Sequence, residues 1–205
     1  EIKVSNSSSI TALKRAISNV DLLIDCTGSN KNFNALQQYL DFGVKSVLVS
    51  SPIKDDRILN IVYGVNHDRY DPTQNYLVTA ASCTTNCLAP IVKVLNEGIG
   101  IRHGTITTIH NVTNSQTIID KPAGNIRRGR SALNSLFPST TGSATAISLI
   151  FPELKGKLNG HAVRVPVLNA SLTDCVFEIK RKITADEINE LFEHASKHEL
   201  AGILG

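Results

Sequence analysis

The sequence predicts an α/β chain in two parts: an open parallel sheet first, then an α+β half. Three observations carry this. Two compact apolar runs, Asp21–Cys26 and Ser46–Ser50, flank a helical stretch, an order that implies a right-handed crossover between parallel strands. Further on, Gly104–His110 alternates and is rich in β-branched residues, which suits a half-buried strand. Near the end, Thr184-Ala185-Asp186-Glu187 forms a capping box, so a separate helix starts there.

In chain order, Ser5–Ser9 is a polar stretch that precedes or caps a short helix, Ile10–Ile17. Asp21–Cys26 reads as a buried parallel strand, broken by Thr27-Gly28-Ser29. Phe33–Phe42 has helical spacing through Phe33, Leu36, Tyr39 and Leu40, and Gly43 closes it. Ser46–Ser50 and Tyr76–Ala80 are strands. In open parallel sheets ligands bind beyond the carboxyl ends of the strands, where Thr27, Gly28 and Ser50 fall; ordinary turn chemistry would account for the same residues. Leu88–Glu97 is a helix ended by Gly98 and Gly100. Ser115–Pro138 is irregular and basic, with a turn at Lys121–Gly124 and a cluster of Arg127, Arg128 and Arg130. A helix follows at Ser143–Ile150, then strands at Ala162–Val167 and Ala170–Lys180, then the capped helix to about His198. His194 and His198, four apart with no third ligand nearby, are surface histidines rather than a metal pair.

Composition narrows the function classes. The 205 residues carry 21 basic and 18 acidic side chains, a net charge of +3 that argues for neither nucleic acid nor a membrane surface as partner. No run of about 18 apolar residues is present to span a membrane. The N-terminal EIKVSNSSSI lacks a signal-peptide pattern. Cysteines 26, 83, 87 and 175 make no secreted-type framework, so reduced thiols in a cytoplasmic setting are expected. The sequence contains no Met, which fits a chain beginning inside a longer reading frame.

The chemistry centres on Ala81–Pro90, ASCTTNCLAP. Cys83 sits between a strand and a helix start near Thr84, where backbone N–H groups lack helical partners and the helix dipole is positive. That setting favours a thiolate nucleophile. Cys87, one turn on, is expected inside the helix on its packed side, as a small buried hydrophobe. Zinc is a poor alternative, since the pair is not CxxC and no second Cys/His pair has suitable spacing.

The ASCTTNCLAP stretch resembles the active-site signature of the phosphorylating glyceraldehyde-3-phosphate dehydrogenase family. The resemblance continues through Gly64-Val65-Asn66-His67, Thr107-Thr108-Ile109-His110, Pro152–Leu158 and Arg164-Val165-Pro166, and covers the chain from about Val20 to Gly205. It implies the end of a doubly wound (Rossmann) dinucleotide-binding domain, residues 1–82, followed by an α+β catalytic domain, residues 83–205, with a mainly antiparallel sheet. The family's Gly-rich GxGxxG-type turn lies upstream of this chain's start, and the family continues beyond Gly205 with further strands and a helix. Both domains are therefore expected to be incomplete.

The resemblance also implies the reaction: glycolytic, NAD- or NADP-dependent oxidation of glyceraldehyde 3-phosphate through a cysteine thioester. Cys83 matches the nucleophile and His110 the base, and the Cys83 N–H with the His110 side chain would stabilise an oxyanion. Ser82, Thr84, Thr141 and Gly142 match the attacking-phosphate pocket; Thr113 and Arg164 match the substrate-phosphate pocket. Taken alone, Arg164 in a strand would be a solvated edge charge. Thr27, Gly28 and Ser50 are the cofactor-side candidates, and no metal is implied. Family members are typically homotetramers, and Lys121–Arg130 resembles the loop lining a neighbour's cofactor site. That loop, with Asn114-Ser115-Gln116, Thr140–Thr145 and Leu172–Cys175, resembles an arsenic-resistance-associated subgroup in which arsenate replaces phosphate. Two other readings stand beside this one. One is a truncated subunit acting only by association with full-length subunits. The other is a papain-type thiol hydrolase, which needs an Asn or Asp partner behind His110.

Overall fold

Ser9 starts the first helix. Its side-chain oxygen accepts the Ala12 N–H at 3.3 Å, and α1 spans Ile10–Ile17. The rest of the expected polar lead-in lies partly outside the described residues: the computed structural model describes residue 4, residues 6–7 and residues 9–205. The chain forms two units, residues 1–82 and 83–205.

In the first unit, β1 (Leu22–Asp25) leads to α2 (Phe33–Asp41). Asn32 caps α2 through its Oδ1, which accepts the Ala35 N–H at 2.9 Å, and Gly43 ends it with a φ of +96°. Then come β2 (Ser46–Val49), β3 (Leu59–Asn60) and β4 (Leu77–Thr79). The four strands form one parallel sheet in the order β1-β2-β4-β3. Ile17, Leu36, Tyr39, Val47, Val49 and Leu77 make the core. The sequence suggested that β1 is buried on both faces. Within this chain β1 pairs with β2, and Leu22 and Ile24 are more than half exposed. Successive side chains alternate, and only the Leu23 face packs on the core. β3 is two residues long, too short to leave a periodic signal.

The loop after β1 is held by a buried carboxylate. Asp25 is 3% exposed and accepts the Thr27 N–H at 2.8 Å, the Thr27 hydroxyl at 2.7 Å, the Asn30 amide at 2.7 Å and the Tyr39 hydroxyl at 3.2 Å. Burial pushes its pKa up, but the hydrogen bonds from Asn30, Thr27 and Tyr39 outweigh that and hold it below the usual carboxylate range. Burial, then the Asp25 charge, pushes the Tyr39 phenol up to about 12. The two groups set opposite pH limits. Asp25 stabilises the fold above its unfolded range of about 4, a contribution lost as acid protonates it; Tyr39 stabilises below about 10, a contribution lost as pH rises toward 12. In a tyrosinate absorbance titration, the component lost in Tyr39→Phe should ionise near pH 12.

The second unit begins with α3 (Cys83–Gly98), which starts at Cys83 itself and is longer than the apolar run suggested. Next come β5 (Ile101–His110), β6 (Phe137–Ser139), α4 (Ser143–Ile150), β7 (Leu158–Arg164), β8 (Leu172–Ile179) and α5 (Ala185–Lys197). Thr184 caps α5 as the sequence indicates, accepting the Glu187 N–H at 3.2 Å. The sheet order is β6-β7-β5-β8. It is mixed: β5–β8 and β6–β7 are antiparallel, while the central β5–β7 pair is parallel. The parallel pair follows from the long connection through α4, which packs on β7. β7 begins four residues earlier than its β-branched run, because Asn159-Gly160-His161 pair with β5 despite weak strand propensity.

Gly104 allows β5 and β8 to meet. A Cβ built there would lie 2.5 Å from Phe177 Cδ1 and 2.8 Å from the Val176 carbonyl oxygen. We expect Gly104→Val to destabilise the second unit by about 1–3 kcal/mol, read as a lower thermal midpoint.

Candidate active site

The chain turns sharply before α3. Ala81 has a φ of +55°, and its N–H donates to Thr79 Oγ1 at 3.0 Å. Cys83 is then the first residue of the helix, exposed, in the turn where helix N–H groups lack intrahelical acceptors and the dipole is positive. Its Sγ lies 3.9 Å from Thr84 Oγ1 and 3.8 Å from His110 Nε2.

His110 is the last residue of β5, and the parallel register places it beside Arg164, the last residue of β7. The two side chains meet behind the imidazole. Arg164 Nη1 is 2.7 Å from His110 Nδ1 and donates to the Asn111 carbonyl at 3.0 Å, while Nδ1 is 2.8 Å from that same carbonyl oxygen. The Arg164 Nε is buried with no hydrogen-bond partner. Burial, then the neighbouring Arg128 guanidinium, lowers the Arg164 pKa from its usual value, with the Cys83 charge acting the other way. Arg164 is thus a half-buried cation held by neutral acceptors, not a solvated edge charge.

Arg128 reaches the same region. Its Nη1 donates to Ser115 Oγ at 2.6 Å, and Ser115 Oγ is 2.8 Å from Thr113 Oγ1. Thr141 and Gly142 form a separate group at the start of α4: Thr141 Oγ1 is 2.7 Å from Ser143 Oγ and accepts the Ser143 N–H at 3.3 Å, and the Gly142 carbonyl accepts the Ala146 N–H at 2.8 Å. Ser82, half-buried, directly precedes Cys83. Thr27, Gly28 and Ser50 lie in the first unit, exposed at the carboxyl ends of β1 and β2. The Thr27 hydroxyl is anchored on Asp25, and Gly28, at φ +65°, has open space where a Cβ would stand. Its bare backbone can therefore be approached closely, as a dinucleotide requires.

Three contributors had no assigned role in the sequence. Asn111 acts through its backbone carbonyl, which leaves no sequence signal. Arg128 was visible only as one of three clustered arginines, and Ser115 as one polar residue in an irregular stretch. The groups behind His110 are a carbonyl and a guanidinium, whereas the Asn111 side chain donates to the Leu168 carbonyl. A papain-type partner is therefore not what faces Nδ1.

Cys87 was expected on the packed side of α3 but is exposed. Four residues make slightly more than one turn, so Cys87 shares the open face of Cys83, while Thr84, Thr85, Leu88, Ala89 and Val92 form the buried one. Its Sγ sits 3.9 Å from Thr173 Oγ1 on β8. Further along the same face of β8, burial, then the charges of Cys87 and Asp174, push the Cys175 thiol up to about 11. Cys175 should therefore be the slowest of these three thiols to react with iodoacetamide at pH 8. Peptide mass spectrometry checks the order. Among the described residues, no cluster of three or more His, Cys, Asp or Glu side chains could hold a metal, and no helix is long and apolar enough to cross a membrane.

Residues 82–205 match the family model described as glyceraldehyde 3-phosphate dehydrogenase, C-terminal domain. This chain belongs to the glyceraldehyde-3-phosphate dehydrogenase family. It is similar to glyceraldehyde-3-phosphate dehydrogenase 3 of Nostoc sp. (strain PCC 7120 / SAG 25.82 / UTEX 2576), at 58% identity over 187 residues, 91% of this chain and 55% of that protein. It is also similar to glyceraldehyde-3-phosphate dehydrogenase 1 of Bacillus cereus, at 47% identity over 91% of this chain and 55% of that protein. A third relative, glyceraldehyde-3-phosphate dehydrogenase of Geobacillus stearothermophilus, is 46% identical over 90% of this chain and 55% of its own length. The chain spans about half the length of these dehydrogenases.

Proposed function

We propose that this chain carries the thioester-forming machinery of a glyceraldehyde-3-phosphate dehydrogenase, with residues 83–205 as its catalytic domain and residues 1–82 as part of its NAD(P)-binding domain. The carrying observation is the Cys83 Sγ placed 3.8 Å from His110 Nε2 at the first residue of α3. The sulfur adds to the aldehyde carbon of glyceraldehyde 3-phosphate, and the Cys83 N–H and His110 side chain face the developing oxyanion. Nε2 then holds the proton leaving the hemithioacetal hydroxyl. NAD or NADP, when bound, supplies the hydride acceptor; Thr27, Gly28 and Ser50 would hold part of it. The acyl group is left on Sγ as a thioester. Inorganic phosphate, bound by Ser82, Thr84, Thr141 and Gly142, attacks that carbon; the C–S bond breaks and an acyl phosphate leaves. Arg164 and Thr113 hold the substrate's own phosphate. Arsenate shares the charge and tetrahedral shape of phosphate and is a candidate for the same attacking role. The reading carries with it a cytoplasmic homo-oligomer, with Lys121–Arg130 as the intersubunit loop.

The acyl-transfer half needs no hydride acceptor, which makes it testable on this chain. Acetyl phosphate, as a minimal acyl phosphate, should acylate Cys83: a C–S bond forms, the bond to phosphate breaks, and one phosphate is released per acyl group. Mass spectrometry should find the acetyl group on Cys83 and not on Cys26 or Cys87. Equal labelling of all exposed thiols, or none, would sink the reading.

A further inference from the structure

His110 ends β5, and Asn111 is the first residue past it. Backbone groups beyond a strand end need partners from outside the ladder. The connection between β7 and β8 supplies them. The Asn111 N–H donates to Ser171 Oγ at 3.1 Å, the Val112 N–H to the Val167 carbonyl at 3.1 Å, and the Asn111 side-chain amide to the Leu168 carbonyl at 3.3 Å. The Ser171 hydroxyl donates in turn to Asn111 Oδ1 at 3.4 Å. Both peptide units flanking the Asn111 Cα are thereby pinned.

Planarity turns this pinning into aim. In a trans peptide the C=O points opposite to the N–H of the same unit, so a Val112 N–H held on Val167 directs the Asn111 carbonyl the other way. That carbonyl accepts Arg164 Nη1 at 3.0 Å and lies 2.8 Å from His110 Nδ1. A carbonyl can only accept, so it favours a hydrogen on Nδ1. The ring is then set with Nε2 toward the Cys83 sulfur at 3.8 Å. Nε2 accepts when the imidazole is neutral and donates to the thiolate when it is charged.

The connection has little else to do in the fold. Residues 166–171 are all exposed, so they add little by burial. Ala170, directly before Ser171, is left-handed at φ +64°, and its N–H donates to Asn169 Oδ1 at 2.9 Å. Strain of this kind persists where neighbouring bonds over-determine the backbone, and those of Ser171 to Asn111 are adjacent.

We propose that Ser171, together with the Asn111 side chain, is a positioning residue for the Cys83–His110 pair. It holds the Asn111 peptide so that its carbonyl orients the His110 imidazole on the sulfur. This rests on the reading of His110 as the proton partner of Cys83. Ser171 acts through Asn111 and His110, and not on the substrate.

The test is a double-mutant cycle on the 205-residue chain, read by two reagents: acetyl phosphate and iodoacetamide. Ser171→Ala removes the acceptor of the Asn111 N–H. It should lower the saturating rate of Cys83 acylation by about tenfold and leave the half-saturating concentration within about twofold. Ser171→Thr, which keeps the hydroxyl, should restore the rate. In a His110→Asn background, Ser171→Ala should cost nothing further, an outcome that a merely structural role would not give. Iodoacetamide needs no acyl phosphate and should show the same pattern at Cys83, with no change at Cys87. If acetyl phosphate fails to acylate the wild-type chain, the dehydrogenase reading falls, and the alkylation cycle still decides the role of Ser171. A folded Ser171→Ala chain that loses nothing overturns the proposal, and so does a loss of equal size with and without His110. If Ser171→Ala shows no cooperative thermal transition, Asn111→Ala carries the same cycle. It removes the bonds to Leu168 and Ser171 Oγ–H, with an expected loss of about threefold.

Discussion

Cys83→Ser is expected to lower acyl transfer from acetyl phosphate by about 10³-fold or more. Serine keeps the volume and the position at the first residue of α3. What it loses is an atom that ionises easily, because an alkoxide is far harder to form than a thiolate. The helix start and the His110 nitrogen remain, so a fall of this size isolates the sulfur itself. The labelled-peptide assay reads the loss directly. The matching Cys87→Ser exchange should leave acylation of Cys83 within about twofold, because Cys87 contacts Thr173 rather than His110. A Cys83→Ser chain that still transfers the acyl group at a comparable rate would remove the nucleophile assignment.

His110→Asn should cost about 10²–10⁴-fold at neutral pH, the range of a positioned general acid or base. Asparagine retains a polar group at the end of β5 but cannot exchange a proton with the sulfur. Its effect should fall on the rate of acylation at saturating acetyl phosphate and little on the concentration that half-saturates it. The deficit should shrink in alkaline buffer, where hydroxide can deprotonate the thiol without help. A uniform loss at every pH would mean that His110 acts through structure, and a change in thermal midpoint would show it. Combined with Cys83→Ser, the histidine change should add almost nothing, since the two groups act as one unit.

Much of the site was legible because its chemistry depends on residue types held in short contiguous segments. The Cys83 segment, the strand ending at His110 and the Arg164 segment can each be read within ten residues. Two helices with side-chain caps were equally plain: the Ser5–Ser9 stretch and Thr184 each mark a start that the hydrogen bonds match, at Ser9 and at Thr184. The rest failed for physical reasons. The apolar run Leu88–Glu97 understated α3, whose first turn is small and polar; only the small, polar residues after the strand that precedes Cys83 placed the start near Thr84, one residue from where it lies. The parallel pairing of β5 with β7 depends on where the chain goes after α4. The contact of Arg164 with Nδ1 arises only once that register is set, so no local pattern could announce it.

That same register dictates an order of events while the protein is being made. α3 forms from local contacts, so the helix carrying Cys83 can appear early. β5 cannot be completed locally: Ile106 needs Gly160 on one side and Cys175 on the other, and His110 needs Arg164. On a ribosome these partners emerge several seconds after the cysteine, at about 5–20 residues per second. For that interval the nascent chain displays its thiol without its histidine, and refolding from denaturant should regain helical signal before Cys83 becomes distinguishable from Cys87 in its chemistry.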